Sequence, residues 1–324
     1  MAIMRGTTLI ELLIALALGA MLSAAMVAAY ADSRRHQFYG QEIARLKENG
    51  RHAMRLLSGD IAMAGFSGGI PGAALPPAAT IAVDCADEPW ALDLQDPLDV
   101  VNDWDGATGP VTVGGQTLSC LDPAYPLAGS DVLVLRRVGA APAQFLGAVA
   151  ATLTSSSVLG WYLQVEDGSP QSWEQLAPRD IAAGRNSNPG VSLWPAFARI
   201  YSVQRDQGGV PQLCAETLAG NRMVSRCMVE GVEQLQVEYG IDRNGDGAPE
   251  QFVSSPGPDD LALVVAARVH LLLRSLRPLS GHRDRHPHDL GDRRIPAAND
   301  RFLRVVMSRT VVIDRVVRRI GGAV

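Results

Sequence analysis

Residues 12–31 form an unbroken apolar run, LLIALALGAMLSAAMVAAYA, with neither a charge nor a proline. At about 1.5 Å of rise per residue, a helix of this length spans roughly 30 Å, the thickness of a bilayer core. Glu11 stands at its mouth, where a simple anchor would carry no charge. An ionised carboxylate in lipid costs about 2.5–3.5 kcal/mol on insertion scales, so a partner charge is expected. A cleaved secretory signal would have a shorter apolar core, although the small residues around Ala29 and Ala31 have the form of a cleavage site. A plain anchor explains the length but not Glu11.

Beyond the run the pattern becomes amphipathic. No proline occurs in 32–64. Ile43, Leu46, Ala53, Met54, Leu57, Ile61 and Ala64 recur at helical spacing, with Arg45, Lys47, Glu48, Arg51 and Arg55 mostly between them. One helix from Thr7 to Ala64 is predicted, roughly 80 Å long if straight. Gly40, Gly50 and Gly59 are sites where it can bend, and Gly65 is the stop signal. A break at 32–35 would give two helices instead.

After the helix the period changes to two. Strands are expected at 131–138, 157–166, 232–241, 261–274 and 304–316. In 232–241, Leu235, Val237, Tyr239 and Ile241 share one face and Gln234, Gln236 and Glu238 the other. Val265, Ala267, Val269, Leu271 and Leu273 form a face in the next strand. Residues 65–130 read as irregular chain with short strands. One long helix followed by strands implies an α+β domain with the helix laid across antiparallel sheet.

Composition narrows this picture little. The chain has 324 residues, 47% of them hydrophobic and 19% charged, which argues against wholesale disorder. A net charge of −5 leaves no basic surplus of the kind nucleic-acid binders show. The four cysteines, Cys85, Cys120, Cys214 and Cys227, include no C-x-x-C. An even count suits two disulfides in an oxidising compartment, and Cys85–Cys120 with Cys214–Cys227 is the most local of the three pairings; four separate buried thiols are the alternative.

Arg5-Gly6-Thr7-Thr8-Leu9-Ile10-Glu11 ahead of the apolar run resembles the class III signal of type IV prepilins and type II secretion pseudopilins. The resemblance implies a leader at 1–6, cleavage after Gly6 by a prepilin peptidase, N-methylation of Thr7, and Glu11 as the fifth mature residue. The family usually has Phe where this chain has Thr7. Glu11 would then pair, during assembly, with the Thr7 amine of a neighbouring subunit, two charges that lipid tolerates better together than apart. The blocks Gln41–Arg51, Asp60-Ile61-Ala62-Met63-Ala64-Gly65-Phe66, Glu230–Asp242, 264–274 and 304–312 resemble PilW-type minor pilins. That likeness implies a transmembrane segment at 7–31, an amphipathic periplasmic half-helix at 32–64 and a periplasmic pilin-like α+β domain at 65–324. It also implies residence in the inner membrane and then at a pilus tip. The partners would be the inner membrane, other minor pilins, the major pilin and a tip adhesin, in support of pilus biogenesis, adhesion and twitching. A type II secretion pseudopilin shares this architecture, and a membrane-anchored periplasmic binding protein or enzyme is an alternative of another class.

Little in the chain points to catalysis. No G-x-S-x-G, H-E-x-x-H, P-loop or dinucleotide fingerprint is present. Asp242, Asn244 and Asp246, followed by Gly247, have the spacing of a calcium loop, with Glu250 at its ninth position. Val253 stands where an EF-hand has its bidentate glutamate, and Asn-Gly and Asp-Gly are also hairpin signals. Three of the six histidines fall in 282–289, where interleaved Arg and Pro predict a solvated, mobile loop. His270 shares its strand parity with Arg268 and Arg274 and is expected to face solvent.

Overall fold

The computed structural model describes residues 8–70, 75–86, 89–106, 111–121, 126–143, 159–177 and 190–313. Helix α1 runs uninterrupted from Leu9 to Ala62, with no break at 32–35. Its apolar half is exposed along its length, Leu22 at 63% for example. Among the described residues it is the one helix long and apolar enough to cross a membrane. The buried stripe of the second half runs through Glu42, Leu46, Gly50, Ala53, Met54, Leu57, Ser58, Asp60 and Ile61. The stripe enters by Glu42 where Ile43 was expected; Ile43 is half-buried. Met63 caps the helix, and Gly65, at φ +76°, turns the chain away. Gly50 is a point of close approach: a Cβ there would strike Leu273 Cδ1 and, at 2.5 Å, Met307 Sδ. The helix backbone therefore lies directly on sheet, which only glycine allows.

The larger sheet is antiparallel. It comprises β1 (Leu98–Val101), β4 (Val132–Val138), β5 (Gly160–Glu166), β6 (Ser169–Leu176), β7 (Val191–Arg205), β8 (Pro211–Ala219) and β9 (Arg222–Glu230). Strand order is β1-β4-β7-β5-β6, and β7 also pairs with β8, which pairs with β9. The hairpin β2 (Thr112–Val113) and β3 (Gln116–Thr117) is separate. The smaller sheet has order β11 (Gln251–Val253), β10 (Val232–Ile241), β12 (Val264–Arg274), β15 (Arg304–Val312). A short helix, α2 (Pro258–Leu261), precedes β12, so that strand begins three residues later than its apolar run. A second hairpin pairs β13 (His288–Leu290) with β14 (Arg293–Ile295).

Two cores flank the larger sheet. Leu133 and Leu135 of β4 join Leu57 and Ile61 of α1, Tyr201, and Leu235, Val237, Val269 and Leu271 of the smaller sheet. Val132, Val134 and Val138 face the opposite way, onto Trp90, Leu92, Val111 and Leu118 of the irregular segment. With both faces covered, β4 opens as a continuous apolar run, Val132 to Leu135, as doubly buried strands do.

Strands β6 to β9 were not evident from the sequence pattern. Pro195 interrupts β7, and proline inside a run argues against a strand. It sits where β7 passes from pairing with β4 to pairing with β5. Strand β9 is largely exposed and carries no apolar alternation. The 282–289 segment is largely exposed, as expected, but it is tied down at one point: Asp284 is buried on Arg304 and His288, and β13 begins at its end. Residues 314–316 of the expected closing strand lie outside the described residues.

Candidate functional site

The start of α1 is built by a capping box. Thr8 Oγ1 accepts the Glu11 N–H at 3.4 Å, and the Thr8 N–H donates to Glu11 Oε2 at 2.8 Å. Thr8 Oγ1 also donates to the same carboxylate oxygen at 3.0 Å. Two helix-end donors are thus satisfied reciprocally by side chains three residues apart. Gly6 and Thr7, assigned to processing, lie outside the described residues.

At the far end α1 docks through Asp60. Arg137 reaches Oδ1 through Nη2 at 2.8 Å and Nε at 3.2 Å. Tyr201 donates to Oδ2 at 2.6 Å, and Arg199 Nη1 bonds the same oxygen. Burial pushes the Asp60 carboxyl up, but the Tyr201 hydroxyl and the two guanidinium groups outweigh it and hold the group below its ordinary range. A carboxylate in the last turn faces the negative end of the helix dipole, so these cations also make its position tolerable. Both arginines lie over the Phe197 ring, at 4.5 and 5.8 Å.

The two sheets are joined through Asp131. Its carboxylate accepts the N–H groups of Asp103 at 2.9 Å and Val237 at 2.7 Å, while its own N–H donates to Leu235 O at 2.9 Å. Burial pushes the Asp131 carboxyl up to about 7, against the two N–H bonds and with the help of nearby Asp103 and Asp292.

The loop after β10 gathers Asp242, Asp246 and Glu250, whose ligand atoms lie within 4.8 Å of one another. Asp242 accepts the N–H groups of Gly245 at 2.6 Å and Gly247 at 2.9 Å. Glu250 accepts those of Arg243 at 2.9 Å and Asn244 at 3.3 Å, and Asp246 that of Ala248 at 2.8 Å. Asn244 Oδ1 accepts the Asp246 N–H at 2.8 Å, so the fourth expected ligand is turned to its own backbone. The arrangement holds a turn between β10 and β11 by itself and places three carboxylates where a hard cation could join them.

Cysteines pair as Cys85–Cys120 and Cys214–Cys227. The second bridge joins residues directly opposite on β8 and β9. His270 is buried rather than solvent-facing: Nδ1 is 2.7 Å from Ser308 Oγ and Nε2 is 3.0 Å from Glu238 Oε2, and Gly291 of the β13–β14 hairpin packs over it. Strand parity alone missed it because the hairpin covers that face.

A long helix, half exposed and apolar and half docked across antiparallel sheets, defines an α+β class with one membrane-length apolar helix. Residues 200–314 match the family described as PilW, Type IV Pilus-assembly protein W, which supports a PilW-type pilus protein with a part in type IV pilus assembly. The matched segment covers the end of β7, the Cys214–Cys227 bridge, the Asp242 loop and the whole of the smaller sheet. No curated protein and no solved structure matches the chain significantly.

Proposed function

We propose that this chain is a minor pilin, anchored by α1 in the inner membrane with its sheets in the periplasm, and that it joins other minor pilins in a complex that primes a type IV pilus from its tip. The carrying observation is Glu11 at the mouth of an exposed apolar half-helix that continues without a break into the docked half. The leader at 1–6 is removed after Gly6, and the new Thr7 amine of one subunit attracts Glu11 of the next. Because Glu11 already closes its own capping box, assembly exchanges a local hydrogen-bond set for an intersubunit ion pair. The exposed helices then pack together, hiding apolar surface from lipid and water. The PilW match favours a pilus over the type II secretion alternative.

Mass spectrometry of the mature amino terminus, with immunoblots of sheared pili, tests this reading. A methylated terminus at Thr7 and the subunit in pili are expected. Gly6→Val should leave an unprocessed chain in the inner membrane. Glu11→Ala should be processed normally yet be missing from pili; wild-type incorporation of that variant would contradict the pairing. A terminus at Met1, or beyond Ala29, would remove the prepilin reading altogether.

A further inference from the structure

Strand β15 lies at one end of the smaller sheet, and no strand pairs with its outer edge among the described residues. Its register with β12 runs without a shift from Arg274↔Arg304 to Ala266↔Val312. At one end the Ser275 N–H donates to Leu303 O at 2.8 Å, and at the other the Ile313 N–H donates to Val265 O at 2.8 Å. These two bonds fix the phase of the ladder. Residues of odd number between 303 and 313 turn their N–H and C=O groups to β12, so Val306, Ser308, Thr310 and Val312 turn theirs outward. The other side of β12 keeps the same phase: the N–H of Val237, opposite Val269, points away from β12 to the Asp131 carboxylate at 2.7 Å. The open edge therefore offers main-chain donors and acceptors in register over about 20 Å.

The two faces beside this edge differ in chemistry. On the helix side a groove of about 370 Å³ runs between β15 and α1, lined by Arg51, Met54, Arg55, Met307, Ser308 and Arg309. Arg51 and Arg55 share a single carboxylate, Glu48, at 3.9 and 3.4 Å. Arg309 is exposed and pairs with no acid among the described residues. Three cations thus meet one anion, in a chain whose net charge is −5. Met54 and Met307 give the groove a floor that adapts to what lies on it. On the opposite face the side chains of Thr310 and Val312 are exposed, Val312 at 69%.

We propose that an extended segment of another protein subunit adds a strand to β15, with acidic side chains on the α1 face and β-branched apolar ones on the other. Main-chain bonds to the open edge supply affinity, and the alternation of side chains supplies selectivity. Opposite charges and β-branched pairs are the cross-strand contacts that stabilise such an addition, and like charges directly opposite weaken it. A basic segment is therefore rejected by Arg51, Arg55 and Arg309. The surface belongs to the folded domain and does not depend on how the amino terminus is processed.

The test uses the full chain in non-ionic detergent and two synthetic peptides of about nine residues, one alternating Glu and Val, the other Lys and Val. Hydrogen exchange is followed residue by residue along β15. With the Glu–Val peptide the outward amides of Val306, Ser308, Thr310 and Val312 are expected to slow about tenfold, while the inward amides between them, already bonded to β12, barely change. The Lys–Val peptide should protect none of them. Arg51→Gln, Arg55→Gln and Arg309→Gln together should weaken Glu–Val binding about tenfold, each exposed ion pair being worth up to about fivefold. Thr310→Pro removes one outward donor and no bond to β12, so it should abolish the protection with circular dichroism unchanged. Equal protection by both peptides, or by neither, overturns the proposal. Binding that survives Thr310→Pro makes the groove an anion site without strand addition and also overturns it. Protection in the chain alone assigns the edge to the chain's own remaining residues, or to a second copy where it grows with concentration, and overturns it as well.

Discussion

Consider Asp60→Asn, which keeps the shape of the side chain and removes its charge. In the wild type the carboxylate is 6% exposed and its partners Arg137 and Arg199 are 14% and 25% exposed. Breaking a buried ion pair by removing one partner costs about 3–5 kcal/mol, because the other charge is left uncompensated. Here the arginines keep some water and the Phe197 ring, which points to the low end, about 3 kcal/mol. The asparagine amide also places a donor where Arg or Tyr201 donates now. Urea unfolding of the full chain in detergent, followed by circular dichroism, measures the difference. The pH dependence sharpens it. The Asp60 carboxyl is held below its ordinary range in the fold, so its contribution is present above the unfolded value near 3.9 and is lost as pH falls through the folded value. The gap between wild type and Asp60→Asn should therefore be full at pH 7 and close progressively below about pH 4. A gap under about 0.5 kcal/mol at pH 7, or one that widens in acid, would refute the reasoning.

Asp131 should act with the opposite sign. Its folded value is raised to about 7, so its contribution is complete below the unfolded value near 3.9 and declines as pH rises through 7; Asp131→Asn should flatten the fall in stability between about pH 4 and pH 7. The two disulfides should differ in worth: with loops of 35 and 13 residues, chain entropy makes paired Cys→Ser at Cys85 and Cys120 costlier than at Cys214 and Cys227 by about 1 kcal/mol, read by denaturant midpoints. The Asp242 loop should keep its shape without metal, because its carboxylates already accept backbone N–H groups. Chelator should then leave the melting temperature unchanged and Asp242→Ala should lower it. A melting temperature that climbs with millimolar calcium would assign the loop a cation instead.

The sequence announces what has a simple period. The helix, with Gly65 as its stop, and strands β10, β12 and β15 are legible because one face of each repeats at 3.6 or 2 residues, and β4 because it opens on four apolar residues in a row. The helix start is legible too, since Thr8 and Glu11 have capping-box spacing, although the charge of Glu11 drew attention to lipid and away from its local bonds. Strands β7 to β9 are hidden because Pro195 breaks one run and pairing partners, rather than alternation, hold the others. The roles of Asp60, Asp131 and His270 depend on partners 77 to 141, 106 and 38 positions away, and no local pattern carries that information. Gly50 looked like a bend and is a contact; only the packed sheet beneath it distinguishes the two.

Tension applied to the exposed half-helix acts along the axis of α1. That direction shears the Leu46–Ile61 stripe across the sheets, so many small contacts resist together, and the Asp60 cluster at the far end yields last. Chain beyond the helix next meets the Cys85–Cys120 bridge. With 35 positions closed off by the bond, about 120 Å of contour length cannot be paid out under tension. The outer core is thereby a short tether, and the domain stays compact after its helix has begun to slip.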